Sequence, residues 1–91
     1  MKLAKTLNSL NDAMAAMREN KVRDAFNELN YARKMLKHPS TVFEAAVKTE
    51  IEKSCELLRV QRLREGKDQI EHTQRNVLVY VTRQQQNGGL R

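Results

Sequence analysis

The sequence predicts an all-α fold, a small bundle of three to four helices, and three observations favour it. Apolar residues recur at steps of three and four along most of the chain, as on one face of an amphipathic helix. Good helix formers such as Ala, Leu, Lys, Glu and Gln fill most positions, whereas there are only three glycines and one proline among 91 residues. Thr41 and Glu44 have the spacing of a capping box, which marks a helix start.

The first two helices are predicted to form an antiparallel hairpin. The stripe of the first, at about residues 3–18, consists of Leu3, Leu7, Leu10, Met14 and Met17. The stripe of the second, which runs to about Lys37, consists of Val22, Ala25, Phe26, Leu29, Ala32 and Leu36. Asn20 lies between them and can take the left-handed conformation that ends a helix. Because this connection is short, the two helices must run in opposite directions.

A long third helix is predicted after Pro39, since a proline disfavours helical backbone at the residue before it. Its stripe consists of Phe43, Val47, Ile51, Cys55 and Leu58. Further apolar residues follow a different line, namely Val60, Leu63, Ile70, Val77 and Val81. This change of phase favours a fourth helix, with Gly66 ending the third and Asp68 capping the fourth. A single long helix with a kink at Gly66 is the alternative.

The C-terminal helix is less clearly defined by its residue types. The segment 77–81 is rich in β-branched residues, which favour strands, but no other segment offers a partner strand. A helix is therefore the preferred interpretation, and a strand would require dimerisation through this segment. Residues 84–91 are polar and contain two glycines, so we expect a flexible tail after a single helical domain at residues 1–83.

Catalytic and cofactor motifs are missing from the sequence, so we expect a protein that is not an enzyme and has no small-molecule substrate. His38 and His72 are far apart and form no HExxH pattern, and one cysteine cannot build a cysteine-based zinc site. Cys55, the only cysteine, is expected to be a buried structural thiol. The lone cysteine, and the lack of an apolar run of ~18–20 residues, favour a cytoplasmic protein that does not contact membranes.

The net charge of +6 favours an acidic partner, and the excess is concentrated near the C-terminus. Residues 59–91 hold seven Lys or Arg against three Asp or Glu, whereas residues 1–58 hold ten against eight. The candidate basic site consists of Arg59, Arg62, Arg64 and Lys67. A second group, Arg33, Lys34, Lys37 and His38, is attributed to the preference of cations for a helix C-terminus.

The leading functional hypothesis is non-catalytic binding of another protein by an accessory or regulatory factor. Direct binding of DNA or RNA is the alternative. It is less favoured because the arginines are scattered and few aromatic residues are free to stack on bases. The candidate apolar contact residues, for a partner or for a homodimer, are Ile70, Val77, Leu78, Tyr80 and Val81. With Val79 they provide more apolar surface than one short bundle face needs.

Overall fold

The computed structural model of the protein describes the backbone of residues 2–89 and the side chains of residues 2–85. Four helices occur in this part of the chain: α1 at Lys2–Arg18, α2 at Val22–Met35, α3 at Val42–Arg59 and α4 at Leu63–Gly89. No strand is present among these residues, so the prediction of a small all-α bundle is confirmed. None of the helices in the described range is long and apolar enough to cross a membrane.

The four helices form a closed ring in which each packs against its sequence neighbours and α1 also packs against α4. On α3 and α4, the Phe43 ring stacks on Tyr80 with centroids 4.3 Å apart, and Leu58 touches the backbone near Gly66. Residue numbers therefore rise along one helix as they fall along the other, which makes the pair antiparallel. The α1–α4 seam is closed by a hydrogen bond from the Gln74 side chain to Asn11 Oδ1.

The predicted hairpin of α1 and α2 is confirmed by the position of its ends. Lys2 Nζ at the start of α1 donates a hydrogen bond of 3.1 Å to the His38 carbonyl, just after α2. The apolar stripes of the two helices meet in the interior, where Leu10, Ala25 and Leu29 are fully buried. The core thus forms between the helices, from the residues that the helical spacing predicted.

The start of α3 follows the predicted capping box, with one difference. Thr41 Oγ1 accepts a hydrogen bond of 3.0 Å from the Glu44 amide, so Thr41 is the N-cap. The Glu44 carboxylate accepts its bond, also 3.0 Å, from the Ser40 amide and not from Thr41. Thr41 thereby satisfies an amide that the first helical turn leaves without a partner, and Glu44 holds the amide of the residue before the N-cap.

Two tight turns, at residues 19–21 and 60–62, lie at the same end of the bundle. Each contains one non-glycine residue with positive φ, Asn20 at 60° and Gln61 at 63°. After α3, the Gln61 amide donates to the Leu58 carbonyl at 3.1 Å and the Arg62 amide to the Leu57 carbonyl at 2.8 Å. This is the Schellman pattern, and α1 ends with the same pair of bonds. The left-handed prediction for Asn20 is confirmed.

The predicted boundary between the third and fourth helices is wrong. Gly66 does not end α3, and Asp68 does not begin α4, because both lie inside α4. Gly66 is buried, and a Cβ atom there would lie 2.7 Å from Leu58 Cδ2. A side chain at residue 66 would thus have to displace the buried Leu58 side chain between α3 and α4, whereas Gln61 supplies the left-handed backbone that the turn requires. The turn at residues 60–62 separates α3 from α4, so a single helix kinked at Gly66 is excluded.

The C-terminal segment is helical, as the sequence analysis predicted in preference to a strand. Residues 77–81 lie within α4, which continues to Gly89. Residues 90 and 91 of the predicted tail lie outside the described residues, and the boundary between a domain at residues 1–83 and a flexible tail at residues 84–91 stays a prediction. The four exposed residues 82–85 follow the last buried one, Val81.

A larger side chain at Gly66 should destabilise the fold. We expect Gly66→Val to lower the free energy of unfolding by about 2–3 kcal/mol, because the new side chain must displace the buried Leu58 side chain. The neighbouring Lys67→Val, which meets no such contact, should cost less than about 1 kcal/mol. Urea denaturation measures both values, and equal losses for the two variants would contradict the close-approach role of Gly66.

Replacement of Gln61 by glycine should stabilise the protein. The left-handed backbone costs a residue with a Cβ atom roughly 1–2 kcal/mol, and glycine adopts it freely. Part of this gain is offset by the greater entropy of glycine in the unfolded chain, so we expect Gln61→Gly to add about 0.5–1 kcal/mol. The control, Arg64→Gly on an exposed position of α4, should lose about 1 kcal/mol. Destabilisation by both substitutions in thermal unfolding would argue against the strained turn.

Candidate docking groove

An apolar groove opens at the end of the bundle that contains the two tight turns. It lies between the start of α2, the end of α3 and the start of α4, and its volume is about 490 Å³. The lining residues are Val22, Arg23, Phe26, Leu58, Arg59, Gln61 and Leu63. Four of these seven are apolar, and the two arginines supply the only formal charges in the lining. We refer to this feature as the docking groove.

Leu63 is the one exposed apolar side chain in the lining of the docking groove, and the rest of its apolar lining is buried or half-buried. Leu58 is buried, and Val22 and Phe26 are half-buried against the core. Leu63, in contrast, is 40% exposed, and the adjacent Val60 is 51% exposed. The sequence pattern placed Val60 and Leu63 on the same apolar stripe as the core residues of α4. They remain exposed because they lie at the turn itself, where neighbouring helices end and cannot cover them.

The arginine on the α3 side of the docking groove already has a carboxylate neighbour. Arg59 Nη2 lies 2.7 Å from Glu56 Oε2, and in the following turn Arg62 Nη1 lies 3.6 Å from Glu65 Oε2. More than half of each of these side chains is exposed to solvent. Exposed ion pairs of this kind contribute about 0–1 kcal/mol, so a carboxylate from another molecule can replace the intramolecular one at small cost.

The four residues of the predicted basic site lie at the end of α3, in the turn after it and in the first part of α4. Only Arg59 lines the docking groove, together with Arg23 of α2, which the sequence analysis did not select. Arg62 lies in the turn, Arg64 is exposed on the first turn of α4, and Lys67 is half-buried beside Gly66. The contribution of Arg23 could not be found from the sequence, because it depends on α2 lying beside the end of α3.

The predicted apolar contact site needs correction. Ile70, Val77 and Val81 are buried in the core, because their spacing of seven and four residues puts them on the inner face of α4. Tyr80 is half-buried and stacks on Phe43 of α3. Leu78, 50% exposed, is the one predicted member that keeps a large apolar surface in solvent, next to the similarly exposed Val79. Most of the apolar surface on which the dimer prediction was based is thus buried between helices of the same chain.

Within residues 2–85 there is no group of three or more His, Cys, Asp and Glu side chains that could hold a metal ion. His72 Nε2 lies 3.6 Å from Glu50 Oε1, and this imidazole is exposed. Comparison with protein-family models, curated protein sequences and solved structures finds no match to this chain.

Cys55 is half-buried between α2 and α3, with its thiol free. Burial raises the pKa of the thiol, Arg33 of α2 acts in the opposite direction, and Glu52 one turn earlier raises the pKa further. A raised pKa leaves little thiolate at neutral pH, and the thiolate is the reactive form. The low reactivity that this environment implies agrees with the structural thiol expected from the sequence, although the side chain is half-buried and not fully buried.

Alkylation of Cys55 should therefore be slow and should require alkaline pH. We expect the rate with iodoacetamide to rise with pH around a midpoint above that of an unstructured cysteine peptide measured in parallel. Glu52→Gln should move the midpoint down, since it removes a negative charge near the thiolate, and Arg33→Gln should move it up. A midpoint below that of the peptide would contradict this environment.

Proposed function

We propose that the chain is a non-catalytic accessory or regulatory protein that binds a partner protein in the docking groove. The observation that carries this proposal is the combination of an apolar lining with Arg23 and Arg59 at its edge. The complementary ligand is an amphipathic helix whose apolar residues enter the groove and whose Glu or Asp residues meet the arginines. Helices commonly bind grooves in this way, with apolar anchors at helical spacing.

The energetics of the docking groove favour such a ligand. Full burial of a Val or Leu side chain contributes about 1.5–3 kcal/mol, so covering the exposed 40% of Leu63 contributes roughly 1 kcal/mol. The arginines contribute less to affinity than to specificity and to the rate of association, since charges at the edge of an interface act mainly in these ways. The apolar contacts therefore supply most of the binding free energy.

Direct DNA or RNA binding through Arg59, Arg62, Arg64 and Lys67 is the less favoured function. The carboxylates of Glu56 and Glu65 lie beside two of these arginines and lower the net positive charge on which phosphate binding mainly depends, whereas a groove ligand depends mainly on apolar contacts. Phosphate contacts also make no use of the exposed apolar residues in this region. A protein ligand with apolar anchors uses both features of the groove.

Leu63→Asp should abolish most of the binding to an acidic amphipathic peptide. The probe is a labelled helical peptide with Leu at positions i, i+3, i+4 and i+7 and Glu on either side of this stripe. We expect the wild-type protein to bind it, with chemical shift changes at residues 22–26 and 58–63 in NMR spectra. The variant should bind at least roughly tenfold more weakly, a loss of about 1.4 kcal/mol, because it introduces a charge into the apolar lining.

The matched control is Leu78→Asp, which makes the same change on an exposed position of α4 outside the docking groove. It should leave peptide affinity unchanged, and a peptide with Lys in place of Glu should bind more weakly to the wild type. Equal losses in the two variants, or no binding of the acidic peptide, would refute the proposal. If sedimentation shows a wild-type dimer that Leu63→Asp dissociates, the occupant is a second copy and a separate partner protein is ruled out.

A further inference from the structure

A second charged surface lies at the opposite end of the bundle, next to the connection that contains Pro39. A groove of about 170 Å³ runs there between the end of α2 and the first half of α3. Its lining residues are Arg33, Lys34, Lys37, Lys48 and Glu52. The sequence attributed the α2 members to the helix end, but it could not show that Lys48 of α3 faces the same gap. We refer to this feature as the basic groove.

The cations of the basic groove exceed the negative charge around them. Lys48 Nζ donates a hydrogen bond of 3.4 Å to the Lys37 carbonyl, so the end of α2 does attract one of them. A helix C-terminus, however, is equivalent to only about half a negative charge. With the carboxylate of Glu52, it leaves roughly two and a half of the four positive charges uncompensated. In the described part of the chain, none of the four cations forms an ion pair.

We propose that the basic groove binds the phosphate backbone of a nucleic-acid strand. All five residues that line it are charged, and four of them are Lys or Arg. The centre of a protein interface, in contrast, is apolar and depleted in Lys and Glu. Lysines and arginines that neutralise phosphates supply the main, sequence-independent part of nucleic-acid affinity.

The shape of the basic groove favours a strand over a flat anionic membrane. Its cations come from two sides of one gap, with Lys48 on α3 and the other three on α2 or just after it, so a phosphate backbone that crosses the gap can approach both sides. A flat surface reaches only the outermost side chains. No aromatic residue is among the lining residues, so the contact reads charge and not base identity.

The two grooves share no lining residue. Their nearest lining residues on α2, Phe26 and Arg33, are seven residues apart, which at 1.5 Å per residue is about 10 Å along the helix. A protein in one groove and a nucleic-acid strand in the other would be brought together by this chain.

The test measures binding of a labelled oligothymidylate to the full chain by fluorescence anisotropy as salt is varied. For the wild type, log K should fall linearly with log[salt], with a slope of about −0.7 per phosphate neutralised on a single strand. The variant Lys34→Gln, Lys37→Gln, Lys48→Gln should have a slope smaller in magnitude by about 2 and an affinity at least roughly tenfold lower. These substitutions keep part of each side chain, and circular dichroism verifies that both proteins are folded.

The control variant makes an equal charge change outside the basic groove, at Lys5→Gln, Lys53→Gln and Arg83→Gln. It should keep most of the affinity and of the salt dependence. Equal losses in both variants would overturn the proposal, because net charge alone would then explain binding. No wild-type binding at about 50 mM salt would also overturn it. So would binding to phosphatidylserine vesicles that only the basic-groove variant loses, with oligonucleotide affinity unchanged. None of these results affects the docking groove.

Discussion

The contact between Gly66 and Leu58, together with the left-handed turn at Gln61, sets how α4 lies against α3. The absence of a side chain at residue 66 lets the two helices approach closely just after the turn. From this contact the antiparallel register continues along the pair to the stacked rings of Phe43 and Tyr80. A shift of α4 by one residue would rotate its faces by about 100°, since an α-helix has 3.6 residues per turn. Such a rotation would move Ile70 and Val77 away from the core.

The helices themselves could be predicted from the sequence because their signals are local. Apolar spacing determines the inner faces of α1, α2 and α3, and Thr41 with Glu44 marks the start of α3. The turn after α3 could not be found, since its left-handed residue is a glutamine, which carries no turn signal. Gly66 then suggested a helix end because glycine is common there. Its role in packing depends on the opposing helix, which the local sequence does not specify.

The candidate sites were predicted less well, for a related reason. Apolar spacing identifies residues that share a face, but exposure depends on how far the neighbouring helices extend. Val81 is covered by them, whereas Leu63, on the same line, is left in solvent at the turn. Charge shows the same limitation. A count along the chain emphasised the C-terminal third, whereas the basic groove arises when Lys48 of α3 faces the end of α2. Such juxtapositions across helices follow from topology and not from local composition.

The closed ring also has a consequence for the order in which the bundle assembles. Three of its seams join helices that are consecutive in sequence, so short connections bring their residues together. The fourth joins α1 to α4, where Asn11 and Gln74 are 63 residues apart. The entropic cost of closing a loop of n residues grows as (3/2)RT ln n. A loop three times as long therefore costs about 1 kcal/mol more to close. Pairing of α1 with α4 therefore benefits most from the prior formation of the other three interfaces, and we expect the first and last helices to meet late in folding.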